Sequence, residues 1–344
     1  MVFKMTNQLL HQLPPYDELT NLLKTFSSVT LDTVTVLRNI EAYHPTPEND
    51  EPNDMLLDNI LADGLETIIL TPAEKSLPVV ACDMSTVKIA DTSRGSVWAV
   101  RGSIVIREKG LVKAAVVGPF AYTVSKTTVE KIIDVLFMYL GLERKQRFLE
   151  MSAVPKVISN LFEKVLQVYA TTWLKGGVLL LDGALTSGPL DSPPAAVEKI
   201  VESAKTSGIG VAAFSKSTTL MFLGRRIIYF AGKCRPPYVM RLSLSSSRPW
   251  GVNGSVYVSH LSSSLFPFRV DVASKTSDED VFRHILSSEN IIHGYPESLI
   301  IAHQLAKLRW IDVLGIRASL ESLVKLKFSS SVDVRSTIFA PLEG

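Results

Sequence analysis

Two aspartates stand where an apolar run stops. Asp83 ends the run 77–82 (LPVVAC), and Asp182 ends the run 178–181 (VLLL). A carboxylate so placed lies at the edge of a buried strand, short of water, and an unpaired charge there is costly. A divalent cation, backbone donors or protonation can compensate, and of these only the cation also brings hydrolytic chemistry. Taken singly, each aspartate also suits a turn or a helix cap, and Asp182-Gly183 is a common turn dipeptide. Glu163 precedes Asp182 by 19 residues in a helical stretch, among Leu161, Phe162, Val165 and Leu166; Glu150 is the alternative acid. His303 lies in SLIIAHQLAK, either as a hydrogen-bonded core residue or as a nitrogen ligand beside three carboxylates, a set that suits Mn2+ or Mg2+. Lys307 follows four residues later on the same helical face. Lys216, in FSKS, directly follows an apolar strand and reads as a phosphate contact or as an ordinary loop lysine.

The elements that must carry these residues follow from hydrophobic periodicity. Residues 16–40 have helical spacing, 44–54 form an acidic, proline-rich loop, and a short helix is expected around 55–65. A short strand closed by Asp83 leads into 95–107 and 111–117, two β-rich runs joined by Glu108-Lys109-Gly110 as a hairpin. A helical stretch spans 125–174, divided at Pro155. Then come the strand 178–182, a helix 193–205 and the strand 208–214. Further β-rich runs cover 226–230, 238–244, 252–261 and 268–273, before helices at 278–287 and 296–312 and more helix to about 326. Three meandering strands, helix, strand, helix, strand make the ribonuclease-H-like plan, an α/β mixed sheet flanked by helices. No Gly-x-Gly-x-x-Gly marks either strand-to-helix turn, which argues against a Rossmann arrangement. The expected organisation is an N-terminal helical arm and acidic loop (1–76) before a ribonuclease-H-like body (77–344). That body carries a β-rich basic insertion at about 220–275 and C-terminal helices at about 278–326.

The chain has 344 residues, 46% of them apolar and 20% charged, which excludes a disordered or low-complexity chain. Mean hydropathy is +0.21, yet no run supplies the roughly 20 uncharged apolar residues of a membrane span. Residues 1–15 lack the marks of a secretory signal, so a cytoplasmic protein without membrane contact is expected. Cys82 and Cys234 form no CxxC pair, which excludes a cysteine-built zinc site and leaves two free or packed thiols. Net charge is only +2, but it is unevenly spread. Residues 41–66 hold eight acids and no Lys or Arg, whereas 203–270 hold nine basic residues and no acid. That basic block suits a phosphate-binding surface, with Arg225, Arg226, Lys233, Arg235 and Arg269 as DNA contacts together with Lys307. It equally suits a solvated sheet face paired with acids such as those of 41–66. Trp250, Tyr257, Phe266 and Phe268, in or beside the block, are candidates for base stacking or for the core.

In order, VVACDMS, an acidic helix residue, LLLDGAL, GVAAFSKS, FPFRVDV and GYPESLIIAHQLAK resemble the NurA family of DNA nucleases over roughly residues 77–310. One departure is Met84, where the family has glycine after the first aspartate. The resemblance implies a ribonuclease-H-like fold and a Mn2+-dependent 5′-to-3′ exonuclease with single-strand endonuclease action. It implies a homodimer that docks on a hexameric HerA-type ATPase and resects the ends of single- and double-stranded DNA for recombinational repair. It also implies Asp83, Glu163, Asp182 and His303 as metal ligands and Lys216 as the phosphate contact. A non-catalytic DNA- or partner-binding module on the same scaffold is the alternative, favoured by Met84. A restriction-endonuclease-like fold is disfavoured, because no acid-x-Lys triplet follows either aspartate at strand register.

Overall fold

Near-continuous apolar runs such as VLLL (178–181) and VAAF (211–214) build strands that are buried on both faces. The computed structural model describes residues 62–143, 153–186, 193–216, 225–231, 234–244, 253–263 and 266–328, with shorter pieces between 24 and 43 and between 218 and 223. Short strands β1 (Glu41–Tyr43) and β2 (Ala62–Ile69) precede three strands of 14 residues each: β3 (Val79–Thr92), β4 (Gly95–Glu108) and β5 (Leu111–Val124). The β4–β5 hairpin turns at Lys109 and Gly110, with φ of 50° and 77°, the left-handed pair that a two-residue hairpin loop requires. Helices α1 (Val129–Leu140) and α2 (Val154–Thr171) lead to β6 (Gly177–Asp182); α3 (Pro194–Thr206) leads to β7 (Ile209–Ser215). Strands β8 (Tyr238–Leu244), β9 (Ser255–His260) and β10 (Phe268–Ala273) follow. Helices α4 (Asp278–Ser288), α5 (Glu297–Ala306) and α6 (Trp310–Val324) and strand β11 (Lys327–Phe328) complete the described chain.

These eleven strands of the described residues join one sheet. Its centre runs β5-β4-β3-β6-β7, antiparallel through the first three and parallel through the last three, which is the ribonuclease-H-like arrangement. Beyond β7 the antiparallel strands β10, β9, β8 and β2 extend it. Side-chain alternation divides the core between two faces. Val80, Cys82, Leu179, Leu181, Val211 and Ala213 pack with α1, α2 and α3. Val79, Ala81, Val178, Leu180, Ala212 and Phe214 pack with α4 and α5. A third cluster joins Ile89, Val97 and Ala99, at the far end of the β3–β4 hairpin, to Leu320 and Val324 of α6. No helix among the described residues is long and apolar enough to cross a membrane. Cys82 is buried, Cys234 half-buried, and both are free.

Several elements differ from the sequence expectation. The strand carrying Asp83 does not end there but runs on to Thr92, because β4 pairs with it along its whole length. Residues 62–65, expected to end a helix, begin β2, whose ladder with β8 pairs them with 242–244. Arg225–Arg226 form a two-residue strand and Ile227–Phe230 a 3-10 helix rather than a longer β run. The last helical stretch breaks at 307–309, where Lys307 leaves helical backbone at ψ 121°. The acidic loop 44–54 and Glu150 lie outside the described residues, as do Lys233 and Trp250.

Candidate metal centre

The register of two parallel strands makes the site. Cys82 pairs with Leu181, so Asp83 and Asp182 come next to each other where β6 stops and β3 continues. Alternation sends both toward the face covered by α5, which presents His303. One carboxyl oxygen each from Asp83 and Asp182 and a ring nitrogen of His303 all lie within 4.8 Å of one another. His303 Nδ1 is 2.8 Å from Asp83 Oδ2, and the imidazole is 46% exposed, so it is not the core histidine that its apolar neighbours also allowed. Two carboxylates and an imidazole are donors of the kind that Mn2+ and Mg2+ sites use, and their convergence fits such an ion.

Lys216 follows β7 at once and donates from Nζ to Asp182 Oδ2 at 2.5 Å. The turn beneath it is tied down: Gly183 N–H donates to Phe214 O and Ser215 Oγ–H to Gly183 O, each at 2.8 Å. Glu163 arrives from α2, on the opposite face of the sheet. It lies outside the three-donor group, and its carboxylate accepts from Gln167 Nε2 at 2.5 Å, one helical turn on. Both aspartates nevertheless act on it. Burial first, then the charges of Asp83 and Asp182, push the Glu163 carboxyl up, against the neighbouring Lys164. Burial likewise pushes Asp83 up, assisted by Asp182, while its bonds from Met84 N–H and His303 oppose the shift.

Tyr295 is a member of the site that the sequence reading missed. Its ring is packed 5.7 Å from that of Phe214 and 5.2 Å from that of Phe268, centroid to centroid, and lies under Lys216 Nζ at 5.8 Å. Its hydroxyl is buried without a well-formed hydrogen bond among the described residues, while burial and the nearby Asp182 push the phenol up. A buried phenol beside a carboxylate cluster calls for an explanation, and a part in the chemistry of the site would supply one. In the sequence, its place in GYPESLIIAH eight residues before His303 was the available clue.

The expected DNA contacts separate into different environments. Arg226, Arg235 and Lys307 are exposed, while the Arg225 and Lys233 side chains are outside the described residues. Arg269 is a correction. It is 3% exposed, and its Nε and a terminal nitrogen donate to the two oxygens of Asp271, both at 2.8 Å. Two residues apart on a strand, they share a face, and the pair holds the turn after Asp182, since Leu185 N–H donates to Asp271 Oδ2 at 3.0 Å. Of the aromatic candidates, Tyr257 is buried and Phe268 half-buried, whereas Phe266 is 60% exposed. Arg241 stands opposite Glu66 in the β8–β2 ladder, which sets a base of the block beside an acid of 41–66. Met84 lies inside β3, opposite Gly102, with no positive φ. The strand continues through Met84 in place of the turn expected after Asp83, so no glycine is needed there.

No protein-family model and no curated protein matches the chain. Among solved structures it is similar to the NurA nuclease from Sulfolobus solfataricus, at 14% identity and a TM-score of 0.41, over 94% of this chain and 98% of that one. It is also similar to Endonuclease V from Bacillus subtilis, at 11% identity and a TM-score of 0.37, over 74% of this chain and 88% of that one.

Proposed function

We propose that this chain is a divalent-metal-dependent DNA nuclease, using Mn2+ with Mg2+ as the substitute. The observation that carries the reading is the convergence of Asp83, Asp182 and His303 within 4.8 Å beside a half-exposed lysine. These three residues would hold the ion, with Glu163 joining from α2. A bound divalent ion supplies positive charge against the charge that develops on a phosphodiester during hydrolysis and makes water more acidic. The chain's own groups do the rest. Asp83 accepts from His303 Nδ1, which orients the imidazole and leaves Nε2 as its free nitrogen in that tautomer. Lys216 offers a mobile ammonium to a phosphate oxygen. The Tyr295 hydroxyl offers a proton at a dry position next to Asp182. Exposed Arg226, Arg235 and Lys307 supply sequence-independent phosphate attraction.

The sequence resemblance supports the finer form of the reading: 5′-to-3′ exonuclease and single-strand endonuclease action in DNA-end resection, by a homodimer working with a hexameric HerA-type ATPase. The test is digestion of single- and double-stranded DNA, labelled at either end, with Mn2+, Mg2+ or EDTA, with and without such an ATPase. Cleavage with Mn2+ that EDTA stops, and that Asp182→Ala removes while the fold survives, is expected. Full activity in Asp182→Ala refutes the assignment.

A further inference from the structure

Among the described residues, Asp182 alone of the three converging donors is held by a full positive charge from a side chain. Lys216 Nζ lies 2.5 Å from Asp182 Oδ2, whereas Asp83 is held by the imidazole of His303. The two ends of this lysine differ in freedom. Its backbone follows β7 and the anchored Gly183 turn, while its side chain is 54% exposed and can leave by rotation alone. In this same pose the face of Tyr295 lies 5.8 Å from Nζ and adds cation–π attraction to the resting position beside Asp182.

We propose that Lys216 is a resident counter-ion: it occupies the cation's side of Asp182 until a divalent ion enters, and is then released toward the phosphate. Resting on the metal-dependent reading, this makes Lys216 a competitor of the metal in the free protein and a substrate contact in the complex. The two roles have opposite signs. Removing the ammonium strengthens metal binding and weakens cleavage, whereas a lysine that only contacts phosphate leaves metal affinity unchanged.

The competition is modest, because an ion pair this exposed is weak and its loss changes a binding constant by only about two- to five-fold. The experiment is calorimetric titration of Mn2+ into the metal-stripped full chain, without DNA, for the wild type, Lys216→Met and Lys216→Arg. Lys113→Met serves as a control for net charge, since Lys113 is exposed on β5. Expected are about two- to five-fold tighter binding in Lys216→Met, near-wild-type binding in the arginine and control variants, and slower DNA cleavage by Lys216→Met at saturating Mn2+. Wild-type binding with equal or weaker binding in Lys216→Met overturns the proposal and leaves the metal site standing. A wild type that takes up no Mn2+ overturns both.

Discussion

Asparagine at position 83 separates the cost of the site's charge from its use. The side chain is nearly isosteric, but its single oxygen keeps the bond from His303 Nδ1 only by giving up the one from Met84 N–H, and the negative charge is gone. Two carboxyl oxygens held within 4.8 Å of each other repel by about 3.5 kcal/mol or more at an effective dielectric constant of about 20. Lys216 beside Asp182 and His303 beside Asp83 offset part of this, leaving a net gain of about 1–2 kcal/mol for Asp83→Asn in the metal-free protein. With an unfolding entropy of about 2.1 cal/mol/K per residue over 344 residues, the melting temperature rises by roughly 1.5–3 °C. Mn2+ at a hundred times its dissociation constant stabilises the wild type by about 2.7 kcal/mol, and this increment is lost from the variant. The stability order therefore inverts on adding metal. Loss of several kcal/mol of transition-state stabilisation lowers cleavage by about a thousandfold. Scanning calorimetry in EDTA and in Mn2+, with cleavage measured on the same samples, reads all three. A variant less stable than the wild type in EDTA, or one that keeps the full Mn2+ increment, refutes the reasoning.

Burial holds the carboxyls of Asp83 and Glu163 above the usual range, so the folded chain binds these protons more tightly than the unfolded chain does. Their contribution to stability is present below the unfolded carboxylate range and is lost as pH rises through the raised values. Melting temperatures in EDTA across that window should fall for the wild type and fall less for Glu163→Gln; parallel profiles would count against the shift. Arg269→Ala leaves Asp271 buried without its partner and should cost about 3–5 kcal/mol in denaturant unfolding, with no change in the salt dependence of DNA binding. A shallower salt slope with intact stability would return Arg269 to the DNA surface. Tyr295→Phe removes a hydroxyl that makes no well-formed hydrogen bond, so its melting temperature should stay within about 1 °C while cleavage slows. Wild-type rates in that variant would reduce Tyr295 to packing.

The order of elements was legible because burial and periodicity are local. The strand at 268–273 and the helix starting at 278 lie where alternation and the acids after Ser277 put them, and Ser277 Oγ caps that helix by accepting from Glu279 N–H. Positions that depend on a partner were not legible. Nothing near Asp83 says that β4 will carry the strand nine residues further, or that a charge-rich block will bury Arg269 against an acid lying one residue beyond it.

The candidate site divides in the same way. The chain's own residues determined that two carboxylates would end up at the dry ends of apolar runs, since burial of such runs is a property of composition. Tertiary structure decided that these ends are neighbours, through the single register Cys82 to Leu181. It also decided that a helix more than a hundred residues downstream lays His303 over that same face, and that Glu163 reaches the edge from the other side. A one-residue slip of β6 against β3 would send Asp182 to the opposite face without changing the pattern in either strand, so only the packed sheet, which cannot bury the alternative set of side chains, selects it.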